Sequence, residues 1–318
     1  MVRFLAVFAF AVLTPMAFSA ESGGASEYPA AAPAEVVRML FRSPNAFHVA
    51  QAATVPISVA HGASFAPLTS SGFALAPNTF GSIFGTVAEG GGGGRILPNL
   101  PVNDWGDDFS GGVGPTSLNG VRVLINGKDA FLSFVGRAEQ IGSTFDQINF
   151  LAPSDAALGP VSLEVFVGAD RVSASMVNLG PLSPGLIAFP TRDGVQHVVG
   201  VGGADGKFLL PPGFFAGLDT RPAKSGEVII MYGTGFGATE PPMPVGQIPS
   251  GLSLIPGGVV VRIGGLPAAV DFAGLAPCCA GLFQFNVHVP QLSNGNHAVT
   301  VERSGVSSQG GLSLLIQN

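Results

Sequence analysis

The chain has 318 residues, a formal net charge of −6 and only 11% charged side chains. The sequence has no run of Lys or Arg of the kind that nucleic-acid binding requires. With 47% hydrophobic residues, the chain is not expected to be disordered through charge repulsion. The length suits two domains, and 46 glycines with 26 prolines are typical of an all-β protein with many turns.

The amino terminus has the three parts of a secretory signal. Arg3 is the positive residue, residues 4–13 are apolar, and small residues at Ala17 and Ser19 precede a cleavage point. We therefore predict a signal peptide over residues 1–19, with a retained membrane anchor as the alternative. The apolar run is short for a membrane span and no second one follows, so the mature chain is expected to be secreted, without a membrane span.

Residues 20–56 are rich in Ala and Pro, which predicts a leader or linker. Within it, residues 34–42 have an apolar pattern that suits two helical turns before Pro44.

An internal repeat organises the rest of the chain, because residues 120–136 match residues 258–274. In the first copy, Val121, Val123 and Ile125 are spaced two apart, as on one face of a strand. Asn-Gly at 126–127 and Gly-Gly at 264–265 then predict a hairpin turn in each copy, followed by a second apolar arm to Phe134 or Phe272. Gln147, Asn149, Gln284 and Asn286 also recur and are expected to satisfy backbone groups at equivalent corners.

Short strands between Gly and Pro turns continue on both sides of the repeat. The predicted fold is therefore all-β, with two tandem immunoglobulin-like β-sandwich modules over residues 57–182 and 183–318. The first module has a Gly-rich insertion over residues 87–118, and its run of glycines at 90–94 predicts a flexible loop.

The insertion contains the best candidate for a surface site. Asp104, Asp107 and Asp108 surround Trp105, the single tryptophan of the chain. Clustered carboxylates can hold calcium, and an exposed indole can stack on a sugar or anchor a protein partner. The spacing matches no calcium loop, and solvated acidic turns are common, so we predict no metal site and treat these residues as a possible partner-binding loop.

The two cysteines are adjacent, at Cys278 and Cys279. Neighbours in sequence cannot join distant segments, so the fold is not expected to depend on a disulfide. A vicinal disulfide with redox or ligand consequences and a pair of buried thiols both remain open.

Sequence patterns of catalysis are weak. Residues 228–238 combine a strand with G-x-G-x-x-A, but Pro241 and Pro242 prevent the helix that a dinucleotide site needs. The chain has no G-x-S-x-G motif, and its five histidines have no spacing typical of a catalytic or metal site. His288 and His297 flank the last predicted hairpin and could approach each other. We predict no catalytic residue and no cofactor.

An ordered series of motifs resembles a known family. They are residues 62–65, 82–86, 147–153, 183–189, 232–237, 272–277 and 281–290. Together they resemble the carboxy-terminal domain family of exported proteins of Acidobacteria such as Solibacter, and their hairpins are similar to IPT/TIG immunoglobulin-like domains. The resemblance implies paired immunoglobulin-like modules and no established activity. The insertion and the cysteine pair depart from the usual pattern of that family.

These observations predict a secreted or cell-surface, non-catalytic protein that binds an extracellular protein or polysaccharide through loops of the sandwich, above all residues 87–118. The alternatives are a structural spacer or assembly module whose edge strands pair between chains, and an enzyme with an unrecognised site.

Overall fold

The computed structural model describes residues 57–68, 73–86, 96–106, 108–141, 145–192 and 194–318. The predicted signal peptide, the predicted leader, the glycine run at 90–94, His48 and Asp107 lie outside these residues. All regular structure in the described part is β-strand, so the all-β prediction is confirmed.

The described part of the first sandwich contains nine strands in two sheets. They are β1 (Ile57–His61), β2 (Phe80–Thr86), β3 (Asn103–Asp104), β4 (Val121–Ile125), β5 (Lys128–Asp129), β6 (Phe131–Gly136), β7 (Phe145–Leu151), β8 (Gly159–Val167) and β9 (Asp170–Leu179). One sheet has the order β1-β2-β7-β6-β3 and the other has the order β5-β4-β8-β9. The predicted boundary between residues 182 and 183 follows β9.

Thirteen strands belong to the second sandwich as far as its residues are described. They are β10 (Gly185–Leu186), β11 (Gln196–His197), β12 (Gly200–Gly202), β13 (Phe208–Leu209), β14 (Thr220–Arg221), β15 (Val228–Thr234), β16 (Val260–Ile263), β17 (Leu266–Ala268), β18 (Val270–Leu275), β19 (Phe283–His288), β20 (Gly295–Arg303), β21 (Val306–Ser307) and β22 (Leu312–Ile316). One sheet has the order β14-β13-β12-β15-β19-β18, with β10 also on β15. The other has the order β11-β22-β20-β16-β17, with β21 on β20.

The predicted turns form in both copies of the repeat. Asn126 and Gly127 have φ angles of 50° and 72°, and Gly264 and Gly265 have 61° and 79°. Two successive positive φ angles match the twist of a two-residue hairpin. The prediction of the second arm is wrong in one respect, because the arm divides between the two sheets of the sandwich. In the first copy only Lys128 and Asp129 pair with β4, after which β6 crosses to the opposite sheet and pairs with β7.

Each sandwich has its own core between its two sheets. Val121, Val123 and Ile125 are fully buried on one face of β4, as their spacing predicts. They pack in a cluster with Ile148 and Phe150 of the facing sheet. In the second sandwich, Ile263 and Val301 pack with residues of β15 and β19 in the same way.

A third apolar cluster covers the outer face of the sheet that contains β15. Phe189, Phe208 and Phe214, from the segment between β10 and β15, pack over Ile230 and Tyr232. The sheet is therefore buried on both faces, which explains why β15 reads as a continuous apolar run rather than an alternating one. The described residues include no helix with the length and apolar character needed to cross a membrane.

Candidate functional site

The two sandwiches meet in a joint that buries polar groups of both. The Thr234 hydroxyl at the end of β15 donates to the carbonyl of Asn78 at 2.8 Å and accepts the backbone N–H of Phe80 at 2.8 Å. Thr234 has no exposed surface, and Phe80 is 1% exposed. Because an unpaired buried backbone group is costly, these two hydrogen bonds fix the end of β15 against the start of β2.

The glycines that imitate a dinucleotide motif belong to this joint. Gly235 has a φ of +78°, and a Cβ atom there would collide with the carbonyl oxygen of Ser183. Ser183 in turn donates its N–H to the carbonyl of Gly235. The glycine is required because the segment that joins the sandwiches runs directly against it. No phosphate chemistry is needed to explain the motif.

His61 at the end of β1 ties the same joining segment to the first sandwich. Its Nδ1 accepts the N–H groups of Ala63 and Ser64, each at 3.2 Å, so its Nε2 carries the proton and donates to the carbonyl of Ser183 at 3.0 Å. Burial lowers the pKa of His61 to about 4, while the Ser183 hydrogen bond acts in the opposite direction. The imidazole is therefore neutral at physiological pH and serves as a fixed hydrogen-bonding unit.

A second strip of contacts connects the insertion of the first sandwich to the second. Gly114 donates its N–H to Gly246, and Ile248 donates to Gly112, both at 2.8 Å. Val113 and Gln247 form an antiparallel bridge between these bonds. The insertion therefore pairs with the second sandwich by backbone hydrogen bonds.

Three described residues of the insertion are part of the first core. Ile96 and Leu97 are 2% exposed and Leu118 is 1% exposed. Asp146 of β7 accepts the N–H of Leu97 at 3.0 Å and that of Ala138 at 3.0 Å. Removing residues 87–118 would therefore damage the core as well as any loop surface.

The candidate partner-binding residues are held by contacts within the fold. The Trp105 ring is partly buried between Phe80, at a centroid distance of 5.8 Å, and Phe109, at 5.1 Å. Asp104 accepts the N–H of Gly106 at 2.9 Å, and Asp108 is exposed and accepts a hydrogen bond from Asn103 at 3.2 Å. Because Phe80 also bonds Thr234, Trp105 supports the joint from the first sandwich. The role of Trp105 in binding a ligand stays a prediction.

The cysteine pair lies in the turn between β18 and β19, where Cys278 and Cys279 form the vicinal disulfide. Both are partly buried and pack beside the third apolar cluster. Two residues further, Gly281 packs directly on Leu151 of the first sandwich. The disulfide turn therefore borders the joint.

The recurrent polar residues of the central strands bond to one another. The amide nitrogen of Gln147 donates to the Asn149 side chain at 2.9 Å, and Gln284 bonds Asn286 in the same way at 2.9 Å. All four are buried on the outer face of β7 or β19. The same bond in both copies supports a structural role for these residues.

The other histidines in the described part of the chain have different partners. His288 bonds Asp271 at 2.8 Å, His297 bonds the carbonyl of Ser293 at 2.7 Å, and His197 is buried against Phe214. Burial lowers the pKa of His197. Within the described ranges, no three His, Cys, Asp or Glu side chains come together as metal ligands. Burial also raises the pKa of the Tyr232 hydroxyl, which lies inside the third cluster.

The protein is all-β, and its two sandwiches contact each other through the hydrogen bonds of the joint. No protein-family model and no curated protein matches the chain. Among solved structures, the chain is similar to domains 5–6 of the S-layer protein SbsC, with 12% sequence identity. The likeness covers 83% of this chain and 97% of that chain, with a TM-score of 0.26.

Proposed function

We propose that the chain is a non-catalytic structural unit of an exported protein, in which two β-sandwiches form one rigid spacer. The joint carries this proposal, because Thr234 and His61 connect the sandwiches through buried hydrogen bonds. Domains that move relative to each other usually meet through small polar surfaces, whereas this joint has buried polar and apolar contacts. Export rests on the amino-terminal signal in the sequence, and membership of the acidobacterial family is part of the same proposal.

A distance measurement between the sandwiches tests the rigidity. Nitroxide labels at Lys128→Cys and Val306→Cys lie on exposed positions of the first and second sandwich. We expect a single narrow distance distribution in the full chain. A broad distribution in the otherwise unchanged protein would contradict the proposal.

Thr234→Val in the labelled chain tests whether the joint is responsible. The substitution keeps the shape of the side chain and leaves the N–H of Phe80 and the carbonyl of Asn78 without their hydroxyl partner. We expect a wider distance distribution and a loss of about 2 kcal/mol in stability. Thr300→Val on β20 is the matched control, because Thr300 is outside the joint and half-buried; it should change neither result.

Partner binding through the insertion is the second candidate function. Val102 and Val113 are each 40% exposed near the Trp105 turn, and exposed apolar side chains of this kind often contact partners. Capture of a defined glycan or extracellular protein by the purified full chain would favour this function, and a glycan array is the direct experiment.

A further inference from the structure

The turn that contains the disulfide lies against the centre of the joint. Gly281 has a φ of +71°, and a Cβ atom there would collide with Leu151 of β7. Leu151 is fully buried, and its cross-strand neighbours are Phe80 and Phe131. Both neighbours contact the second sandwich, Phe80 by its bond to Thr234 and Phe131 by packing on a glycine. A shift of the turn would therefore displace Leu151 and, with it, the contacts of the joint.

The corresponding turn of the first sandwich is held in a different way. Gln147 and Gln284 are equivalent positions of the repeat, so Asp146 corresponds to Phe283. Asp146 anchors its turn by accepting the buried N–H of Ala138 at 3.0 Å. A phenylalanine side chain offers no such acceptor, and the second turn contains the disulfide instead. The covalent bond therefore takes the place of the carboxylate as the constraint on the turn.

Backbone hydrogen bonds close the disulfide turn around the cysteine pair. The N–H of Ala276 donates to the carbonyl of Leu282 at 2.8 Å, and that of Cys279 donates to the carbonyl of Ala276 at 3.2 Å. Cys278 and Cys279 pack on the third apolar cluster, which also contains Ala63 of the first sandwich. The disulfide closes a small ring through the peptide that the two cysteines share, so it limits the backbone freedom of the turn.

Breaking this bond would leave the rest of the fold in place. A disulfide between neighbours closes almost no chain, so its contribution to the stability of the whole fold is small. The two cores between the sheets consist of other residues. Both cysteines are also only half-buried, so a small thiol can reach them. The oxidised and the reduced chain should therefore share one fold and differ in the turn.

We propose that the Cys278–Cys279 pair is a reversible redox switch that sets the stiffness of the joint. The proposal rests on the rigid spacer, since the oxidised chain is the rigid form. In the reduced chain the turn is held by its hydrogen bonds alone and adopts more conformations. Gly281 then contacts Leu151 for less of the time, and the joint opens more often.

A thiol reductant supplies the electrons for this switch. Its thiolate attacks one cysteine sulfur, and the other cysteine leaves as a thiolate that takes a proton. A second reductant thiolate then attacks the reductant sulfur of the mixed disulfide, which releases the remaining cysteine to be protonated in turn. Two electrons thus reduce the pair, the two protons come from the reductant thiols, and the reductant is oxidised to its disulfide.

Hydrogen exchange of the native chain with and without dithiothreitol measures the effect. We expect the amides of Cys279 and Phe80 to exchange at least about tenfold faster after reduction. The amides of Ala138, in the corresponding turn of the first sandwich, and of Val301, bonded to Ser308, should not change. Oxidised glutathione should restore the protection once the reductant is removed.

The Cys278→Ala/Cys279→Ala chain is the matched control, because it has no disulfide for dithiothreitol to reduce. Its Phe80 amide should exchange as in the reduced native chain, with or without the reductant. Equal exchange of the Phe80 amide in the oxidised and reduced native chains would overturn the switch, and that comparison needs no variant. Equal acceleration at Ala138 and Val301 would overturn it too, since reduction would then loosen the whole fold.

The switch and the spacer fail in different ways. A broad label distance in the oxidised chain would contradict the spacer. A narrow label distance in the oxidised chain, together with a Phe80 amide that ignores reduction, would contradict the switch alone.

Discussion

Acid should weaken the joint through one buried histidine. The pKa of His61 falls from 6.5 to about 4 on folding because the ring is buried. The unfolded chain therefore binds this proton more readily than the folded chain at pH values between these two. Stability is fully present above about pH 6.5 and is lost as the pH falls towards 4.

The size of the effect follows from the two pKa values. One pKa unit corresponds to about 1.36 kcal/mol, so the change from 6.5 to about 4 corresponds to about 3 kcal/mol. Protonation also adds a proton at Nδ1, where the N–H groups of Ala63 and Ser64 now donate. The charged form therefore loses both acceptor bonds, which gives the lowered pKa a structural meaning beyond burial.

Urea unfolding of the native chain and of His61→Gln at about pH 7.5 and at about pH 4 measures this effect. The glutamine amide offers one donor and one acceptor, as the neutral imidazole does, but it does not titrate. We expect the native chain to lose about 3 kcal/mol more than the variant over this range. The contributions of the other titrating groups to the free energy of unfolding cancel when the two proteins are compared. Equal losses in both would refute the assignment of acid sensitivity to His61.

The other predictions concern the insertion and the cysteine pair. Asp146→Ala should cost about 3 kcal/mol in urea unfolding, because the buried N–H groups of Leu97 and Ala138 lose their shared acceptor. Asp108→Ala, at an exposed position, should cost little, and equal effects would contradict the packing of the insertion. The described chain has no free cysteine, so a thiol reagent should label Cys278 and Cys279 only after reduction. Immediate labelling of the native protein would show that the pair is not bonded.

The sequence was most informative where the chemistry is local. Positive φ angles at Asn126 and Gly127 follow from residue type, and the burial of Val121 and Val123 follows from their spacing. The crossing of β6 to the opposite sheet did not follow, because alternation of apolar residues is the same in either sheet. Which sheet an arm joins depends on its partner strand, and the pattern does not encode that choice.

The contacts of the joint could not be predicted from the sequence, for a related reason. The partners of Thr234 lie 154 and 156 positions away, and no periodicity links residues so far apart. The glycines after β15 were a usable signal, since they had no role in nucleotide binding and still needed an explanation. Close approach of another backbone is the general alternative for such glycines, and Gly235 has that role here.

The two copies of the repeat also differ in the segments that cover their surfaces. In the second sandwich, the segment between β10 and β15 covers the outer face with Phe189 and Phe214 and also supplies β11 to the edge of β22. In the first sandwich, the corresponding segment is shorter, and its described residue Leu75 pairs with Leu179 of β9. The same two-sheet unit therefore accepts different connecting segments, since Ile125 and Ile263 lie in the two cores.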